Sequence, residues 1–233
     1  MLFRSKNGIL GSASTVTAGH AAGASALCYG YDLTTMDHAD AVVCIGADTL
    51  TDTVVEAYNE LGVLASSANG DDGFALAEGG FAVVVERLAA AKTRGATPLG
   101  EIRGFAITCD AVGVGKVDTE GAGIERAMRQ ALERADVAAE DVVAVWANRN
   151  GLAAADEAEA KAIERVFGTD VPVLAPKLLV GEPMGAGGTL ATVLALEGWS
   201  RGDGEHSPRG AVVVNSLSLG GTNFTVVLAP VED

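Results

Sequence analysis

The sequence predicts a layered α/β fold in which helices cover apolar strands. Two patterns carry that expectation. Short branched-apolar runs, among them AVVCIGA (41–47), DVVAVWAN (141–148) and AVVVNSLS (211–218), suit buried strands and are too short for helices. Between them lie stretches with apolar residues at helical spacing, so strand and helix alternate along the chain. Composition agrees. Of 233 residues, 48% are hydrophobic and 20% charged, which is enough for a sizeable core.

In chain order, residues 12–18 read as a short strand of small residues. Residues 20–35 read as a helix, with Ala24, Leu27, Cys28 and Tyr31 on one face. A buried strand at 41–47 and a helix at 51–61 follow. Residues 74–88 (FALAEGGFAVVVERL) read as a strand pair or a bulged strand, bent at Glu78-Gly79-Gly80. A second set begins with a strand at 101–111. From Ala122, the residues Ile124, Met128, Ala131, Leu132 and Ala135 mark one helix face. A strand at 141–148 leads to a helix at 156–167 with acids in its first turn, which suits the helix dipole. Residues 171–177 read as a strand and 183–196 as an Ala/Gly/Leu helix. Strands at 211–218 and 224–231 flank the glycine turn LGGTN (219–223), and 201–210 is a solvated loop.

The net charge of −15 disfavours nucleic acid and anionic membranes as partners, because their phosphates would be repelled. No run approaches the roughly 20 apolar residues of a membrane span, and MLFRSKNGILGS lacks the apolar core of a signal peptide. A soluble cytoplasmic protein is expected. Cys28, Cys44 and Cys109 show no paired spacing and read as buried thiols. His20, His38 and His206 lack metal-ligand spacing, so no metal is expected. AVGVGKVD (111–118) lacks the spacing and the Ser/Thr of a P-loop, and no dinucleotide fingerprint occurs.

Four segments, in order, resemble the β-ketoacyl-carrier-protein synthases of the thiolase superfamily. They are DGFALAEGGFAVVVERLAAAKTRGA (72–96), DEAEAKAIERVFG (156–168), PKLLVGEPMGAGG (176–188) and NSLSLGGTNFTVVL (215–228). The resemblance runs from about Gly11 onward. It implies a thiolase-like layered α/β/α/β/α fold with the first half incomplete. Residues 1–99 would be the remnant of the N-terminal half and 100–233 the C-terminal half. A half with missing strands leaves an unpaired sheet edge and an open apolar face.

That family uses a cysteine nucleophile and two histidines, which favour the thiolate and stabilise the enolate from malonyl decarboxylation. By position, the cysteine falls on His20, the first histidine on Asn148 and the second on Glu182, so all three catalytic positions are replaced. The threonines that would hold a pantetheine arm are also gone, the turn reading Asn148-Arg149-Asn150-Gly151-Leu152. The frame is retained at Lys177, Asp156 and Glu159 and at the turn Gly220, Gly221, Thr222 and Asn223. Leu217 and Leu219 replace aromatic residues usual in that loop. A kept scaffold with lost chemistry resembles a chain-length factor, the inactive partner of a catalytic ketosynthase in type II polyketide systems. Such proteins commonly carry glutamine where this chain has His20.

The resemblance implies no cofactor. It implies pairing with a catalytic ketosynthase as a heterodimer or higher assembly, through Ser14, Thr15, Val16, Thr17, His20, Ala21 and Ala24. Small residues at 21–24 would admit a second helix. The acyl carrier protein would engage through the partner, and the subunit would help wall the acyl-chain tunnel. Two other readings stay open. One is an atypical acyltransferase or decarboxylase using His20 and Glu182. The other is a binding or structural domain sharing only the fold. Within the site, Glu182 is either a base or the ion-pair partner of Lys177. Asn148 is either an amide donor to an acyl carbonyl or a strand-end cap. The LGGTN turn supplies an oxyanion N–H or only connects two strands.

Overall fold

The computed structural model describes residues 6, 8, 9, 11–65, 72–113, 116–201 and 210–231. Gly19, at φ 56°, turns the chain into helix α1 (Ala22–Thr35). Strand β1 (Ala41–Asp48) follows, then α2 (Asp52–Glu60), whose N-cap Thr51 accepts from Val54 N–H. Strand β2 (Gly79–Glu86) pairs antiparallel with β1 from Ala41↔Glu86 to Asp48↔Gly79. Helix α3 (Leu88–Thr93) leads to the second half. That half comprises β3 (Glu101–Cys109), α4 (Ala122–Ala135), β4 (Val142–Trp146), α5 (Ala153–Phe167), β5 (Val173–Leu174), α6 (Lys177–Val180), α7 (Gly187–Arg201), β6 (Ala211–Leu217) and β7 (Thr222–Ala229).

The five strands of the second half form one mixed sheet in the order β3-β7-β6-β4-β5. β4 lies parallel to β5 and β6, while β7 lies antiparallel to β6 and β3. Ile124, Met128 and Ala131 of α4 and Ala158, Ala162 and Ile163 of α5 pack on one face of this sheet, around Val145, Val213 and Val227. Ala24 and Cys28 of α1 and Ala191 and Ala195 of α7 pack on the other, around Val214, Phe224 and Val226. On the far side of α1, Leu27 meets Cys44 and Val85 of the two-stranded sheet. The layers therefore run α, β, α, β, as in a thiolase-like fold. The outer face of β1–β2 leaves Val43, Ile45 and Val84 exposed, with no helix over them among the described residues. The first half is incomplete in this sense.

Several elements differ from the sequence reading. Residues 12–17 form no strand; they have no regular secondary structure and are mostly exposed, and no described strand pairs with them. EGG is no bend, because β2 begins at Gly79 opposite the end of β1, and residues 74–77 only tether the chain by single bridges to Leu64 and Glu182. Pro172 and Pro176, which lack N–H groups, confine β5 to two residues, and Lys177 starts a helix instead. Cys109 is exposed, on the face of edge strand β3 where Ile107 is exposed too. Cys28 and Cys44 are buried thiols, and burial pushes Cys44 up to about 11. The loop reading of 201–210 falls largely outside the described residues. Among those residues no helix is long and apolar enough to cross a membrane.

Candidate functional site

Four segments converge between the two sheets, and each side chain is placed by its element. α5 presents Asp156 and Glu159 on one face, three residues apart. Glu159 is fully buried, and its two oxygens accept the N–H groups of Asn148 (2.9 Å) and Arg149 (3.1 Å). Asn215 Nδ2 also donates to it, at 3.0 Å, and is held in turn by Thr225 Oγ1 at 2.9 Å. Asp156 accepts the N–H groups of Asn150 (3.1 Å) and Gly151 (3.0 Å). The two carboxylates thus grip the whole turn after β4 by its backbone. Burial pushes both carboxyls above the ordinary range, while the donated N–H groups pull the other way.

That turn delivers two amides. Asn148 Oδ1 accepts from Lys177 Nζ at 2.7 Å and from Leu217 N–H at 3.1 Å. Asn150 Nδ2 donates to Glu182 Oε2 at 2.8 Å. Lys177 Nζ donates to the same Glu182 oxygen at 3.0 Å, so the buried cation bridges Asn148 and Glu182. Glu182 is fully buried, fixed through its own backbone to Ala75 and Ala77. Its Oε1 has no hydrogen-bonding partner in the protein. Gly187 makes room for the pair, because a Cβ there would lie 2.8 Å from Lys177 Nζ.

His20 closes the cluster. Its Nε2 lies 2.6 Å from Tyr58 Oη of α2, and its Nδ1 lies 3.7 Å from Glu182 Oε2, too far for a hydrogen bond. Phe74 packs edge-on against the ring. Burial holds His20 below the usual histidine range; Glu182 opposes that shift and Lys177 adds to it. Burial likewise keeps the Tyr58 phenol protonated to higher pH. The ring is therefore neutral at pH 7, and a neutral ring protonated on Nδ1 accepts from Tyr58 at Nε2. A cavity of about 30 Å³ adjoins His20, Asn148, Asn150 and Ser218, which is room on the order of one or two waters.

The structure thus brings His20, Asn148, Glu182 and Lys177 together, with Asp156 and Glu159 one layer behind. The glycine loop closes the β6–β7 hairpin and lines the same small cavity through Ser218, Leu219, Gly221 and Asn223. Gly221, at φ 82°, donates to Ser218 O at 2.8 Å; Thr222 returns a carbonyl to Ser218 N–H; and Asn223 Nδ2 donates to Asp110 at 2.6 Å. Gly220 N–H reaches only Ser218 Oγ, at 3.5 Å.

The interface candidates divide. His20, Ala21 and Ala24 face inward and are buried, His20 against Tyr58 and Phe74 and Ala24 against the chain's own α7. A Cβ on Gly188 of α7 would lie 2.7 Å from Ala24 N. Gly23 and Ala24 serve this internal contact, which corrects the expectation that they admit a helix of another chain, while Ala22 is half-buried on the outward side. Ser14, Thr15 and Thr17 are exposed, and Val16 is half-buried. Outward on α1 lie Ala22, Ser25, Ala26 and Tyr29, spaced as one helical stripe. Sequence reasoning missed Tyr58, Phe74 and the role of Asn150. Asn150 carried a signal, since it shares the turn with Asn148. Tyr58 carried none, because only the fold brings α2 to His20.

Among known proteins, residues 99–198 match the β-ketoacyl synthase C-terminal domain. The chain is 32% identical over 209 residues to the tetracenomycin polyketide synthase ketoacyl synthase alpha subunit of Streptomyces glaucescens, a match covering 82% of this chain and 49% of that protein. It is 44% identical over 127 residues to the corresponding beta subunit, covering 53% of this chain and 30% of that protein. The solved ishigamide ketosynthase/chain length factor superposes with a TM-score of 0.85 at 28% identity, covering 95% of this chain and 61% of that one. The chain spans about half the length of the curated relatives it matches over most of its own.

Proposed function

This chain carries the C-terminal domain of the β-ketoacyl synthases on a thiolase-like fold, and from that premise we propose that it is a non-catalytic subunit of chain-length-factor type. In this reading, residues 1–99 are the remnant of the first half and 100–233 the second. It pairs with a catalytic ketosynthase in type II polyketide or fatty-acid-like biosynthesis and helps wall the acyl-chain tunnel. The carrier protein is engaged through the partner.

The observation that carries the reading is how the three replaced positions are used. Asn148 and Glu182 are joined by Lys177, His20 is neutral and bonded to Tyr58, and about 30 Å³ of open space adjoins them. Groups so committed are not free to attack an acyl thioester. Higher identity to the beta than to the alpha tetracenomycin subunit supports the same reading, over a shorter stretch. The partner surface is the exposed segment 14–17 with the outward stripe of α1, Ala22, Ser25, Ala26 and Tyr29. Co-expression with a catalytic ketosynthase from the same gene cluster tests it. A stable complex of defined stoichiometry is expected; a chain that stays a monomer and never co-purifies overturns it.

One observation favours a second reading, an atypical acyltransferase or decarboxylase. Glu182 Oε1 is a buried carboxylate oxygen with no protein partner, on the side chain whose other oxygen lies 3.7 Å from His20 Nδ1. Incubation of the isolated chain with malonyl and acetyl carrier protein, read by mass spectrometry, tests it. A covalent acyl adduct, or release of carbon dioxide that His20→Asn abolishes, would establish it.

A further inference from the structure

The turn after β4 contains an asparagine followed by a glycine, Asn150-Gly151. Such a dipeptide is among the least durable that an asparagine can form. The glycine has no side chain to shield its N–H, so its nitrogen can reach the neighbouring amide carbon and close a succinimide ring. The fold requires both residues. Gly151 sits at φ 106°, a Cβ there would lie 2.5 Å from Gly73 O, and Gly73 N–H donates to Gly151 O at 3.0 Å. Asn150, 7% exposed, gives Glu182 an amide donor inside the buried cluster. The same cluster holds the reactive atoms apart. Gly151 N–H donates to Asp156 Oδ2 at 3.0 Å, so the electron pair that deprotonation would leave in the amide plane points at a carboxylate and not at Asn150 Cγ. The Asn150 side chain is pinned at both ends: Nδ2 donates to Glu182 Oε2 at 2.8 Å, and Oδ1 accepts Leu152 N–H at 3.2 Å.

We propose that Asn150-Gly151 is a latent self-modification site, kept intact by Asp156 and Glu182 and converted by water to aspartate or isoaspartate when the cluster opens. The step balances with water as its one co-reactant. Gly151 N bonds to Asn150 Cγ, the Cγ–Nδ2 bond breaks, and ammonia leaves with the proton from the Gly151 N–H. Water then adds to either carbonyl of the ring and opens it. The product cannot rebuild the cluster. A carboxylate at 150 faces Glu182 Oε2 where an amide donor stood, and Lys177 is the one cation bonded to that oxygen among the described residues. Isoaspartate also adds a backbone carbon between the two N–H groups that Asp156 holds. Conversion is therefore one-way, and it marks a chain whose buried cluster has been open. The inference rests on the geometry of the cluster and not on the pairing proposed above.

The test uses the intact chain at mildly alkaline pH. Peptide mapping by mass spectrometry with electron-transfer fragmentation follows asparagine, aspartate and isoaspartate at 150 over time, in buffer and in urea. Asn7-Gly8 and Asn69-Gly70 supply the rate of an unshielded dipeptide in the same urea samples. In the folded chain three hydrogen bonds must break before the ring closes, so conversion at 150 is expected to run about a hundredfold slower in buffer than in urea. Asp156→Asn, which keeps one acceptor for the two N–H groups, is expected to raise the rate in buffer about tenfold. Converted chains, separated by ion exchange, are expected to melt at a lower temperature than unconverted ones. Equal rates at 150 in buffer and in urea overturn the proposal, as does an Asn150 that survives in urea while Asn7 and Asn69 convert. A converted chain that melts with the unconverted one overturns the one-way loss. A folded Asp156→Asn chain with the unchanged rate removes Asp156 from the role, and the comparison of buffer with urea stands whether or not that variant folds.

Discussion

Replacing Lys177 with methionine removes the cation at the centre of the cluster while keeping the length of its stem. Lys177 is 4% exposed and donates to Asn148 and Glu182, and Glu182 is fully buried. Breaking a buried pair by removing one partner costs about 3–5 kcal/mol, because the remaining charge has nothing to offset its desolvation. For a chain of this size each kcal/mol lowers Tm by about 2–4 °C, so Lys177→Met should fall by roughly 6–20 °C. Glu182→Leu should cost a similar amount, since it strands the ammonium with Asn148 alone. The double variant has no unpaired charge. It loses chiefly the acceptor of Asn150, at about 1–3 kcal/mol. Urea unfolding followed by circular dichroism gives all four stabilities. The double variant should be more stable than either single one, with a coupling energy above about 2 kcal/mol. If the two single losses simply add, the ion pair is not the organising contact and the reasoning fails.

His20 gives a pH signature of known sign. Its folded-state pKa lies below the ordinary value, so stability is fully present above about pH 6.5 and is lost as pH falls through that value toward the folded one, by up to about 1.4 kcal/mol per pH unit. Wild type should therefore lose more stability than His20→Asn between about pH 7.5 and 5.5, measured as urea midpoints; parallel pH profiles would show that the ring is not held neutral. Gly188→Ala places a Cβ 2.7 Å from Ala24 N and should destabilise by about 1–3 kcal/mol in thermal unfolding, since neither helix backbone can yield cheaply. Leu27→Ala empties the contact between α1 and the two-stranded sheet and should cost about 2–5 kcal/mol, with hydrogen exchange rising in β1 and β2 before the five-stranded sheet; uniform loss across both sheets would refute that division.

Much of the fold was legible because its signals are local. Runs 41–47 and 211–217 are strands as their branched residues suggested, but only the second is buried throughout; the first buries Cys44 and Gly46 and exposes Val43 and Ile45, because no element covers its outer face among the described residues. The face Ile124, Met128, Ala131 of α4 packs as its spacing implied. The misreadings sit where a neighbour decides. Residues 12–17 have strand composition, but a strand needs a partner and none is described beside them. FALAE (74–78) alternates like a strand, yet its backbone hydrogen bonds go in two isolated pairs, Phe74 with Val63 and Ala65, and Ala75 and Ala77 with Glu182. In the site, positional reasoning reached His20, Asn148, Glu182 and Lys177, because motif order fixes which side chains the fold can bring together. It did not reach Tyr58, whose contact with His20 spans 38 residues and depends on how α2 is set down. Nor did it separate the two faces of α1, since alanine and glycine carry little hydropathy contrast and burial there is set by the closeness of α7.

α1 ties the two proposed roles to one rigid element. Its N-terminal approach holds His20 inward against Tyr58 and Phe74, while Ala22, Ser25, Ala26 and Tyr29 look outward. Ser216 Oγ and the close contact of Gly23 with Gly185 O fix the start of the helix to the second half. A surface stripe so anchored is ordered before any partner arrives, which lowers the entropic cost of association. The buried polar cluster is what makes that anchoring specific. Lys177 has donors to place on both Asn148 and Glu182, and each sits on a different segment, so the charges are satisfied only when the turn after β4 and the chain before α7 are both in register. An apolar core of the same volume would tolerate slippage among small residues such as those of α1 and α7. The cluster therefore has a structural use that needs no catalysis, and it holds α1 so that the surface proposed for a partner keeps a defined shape.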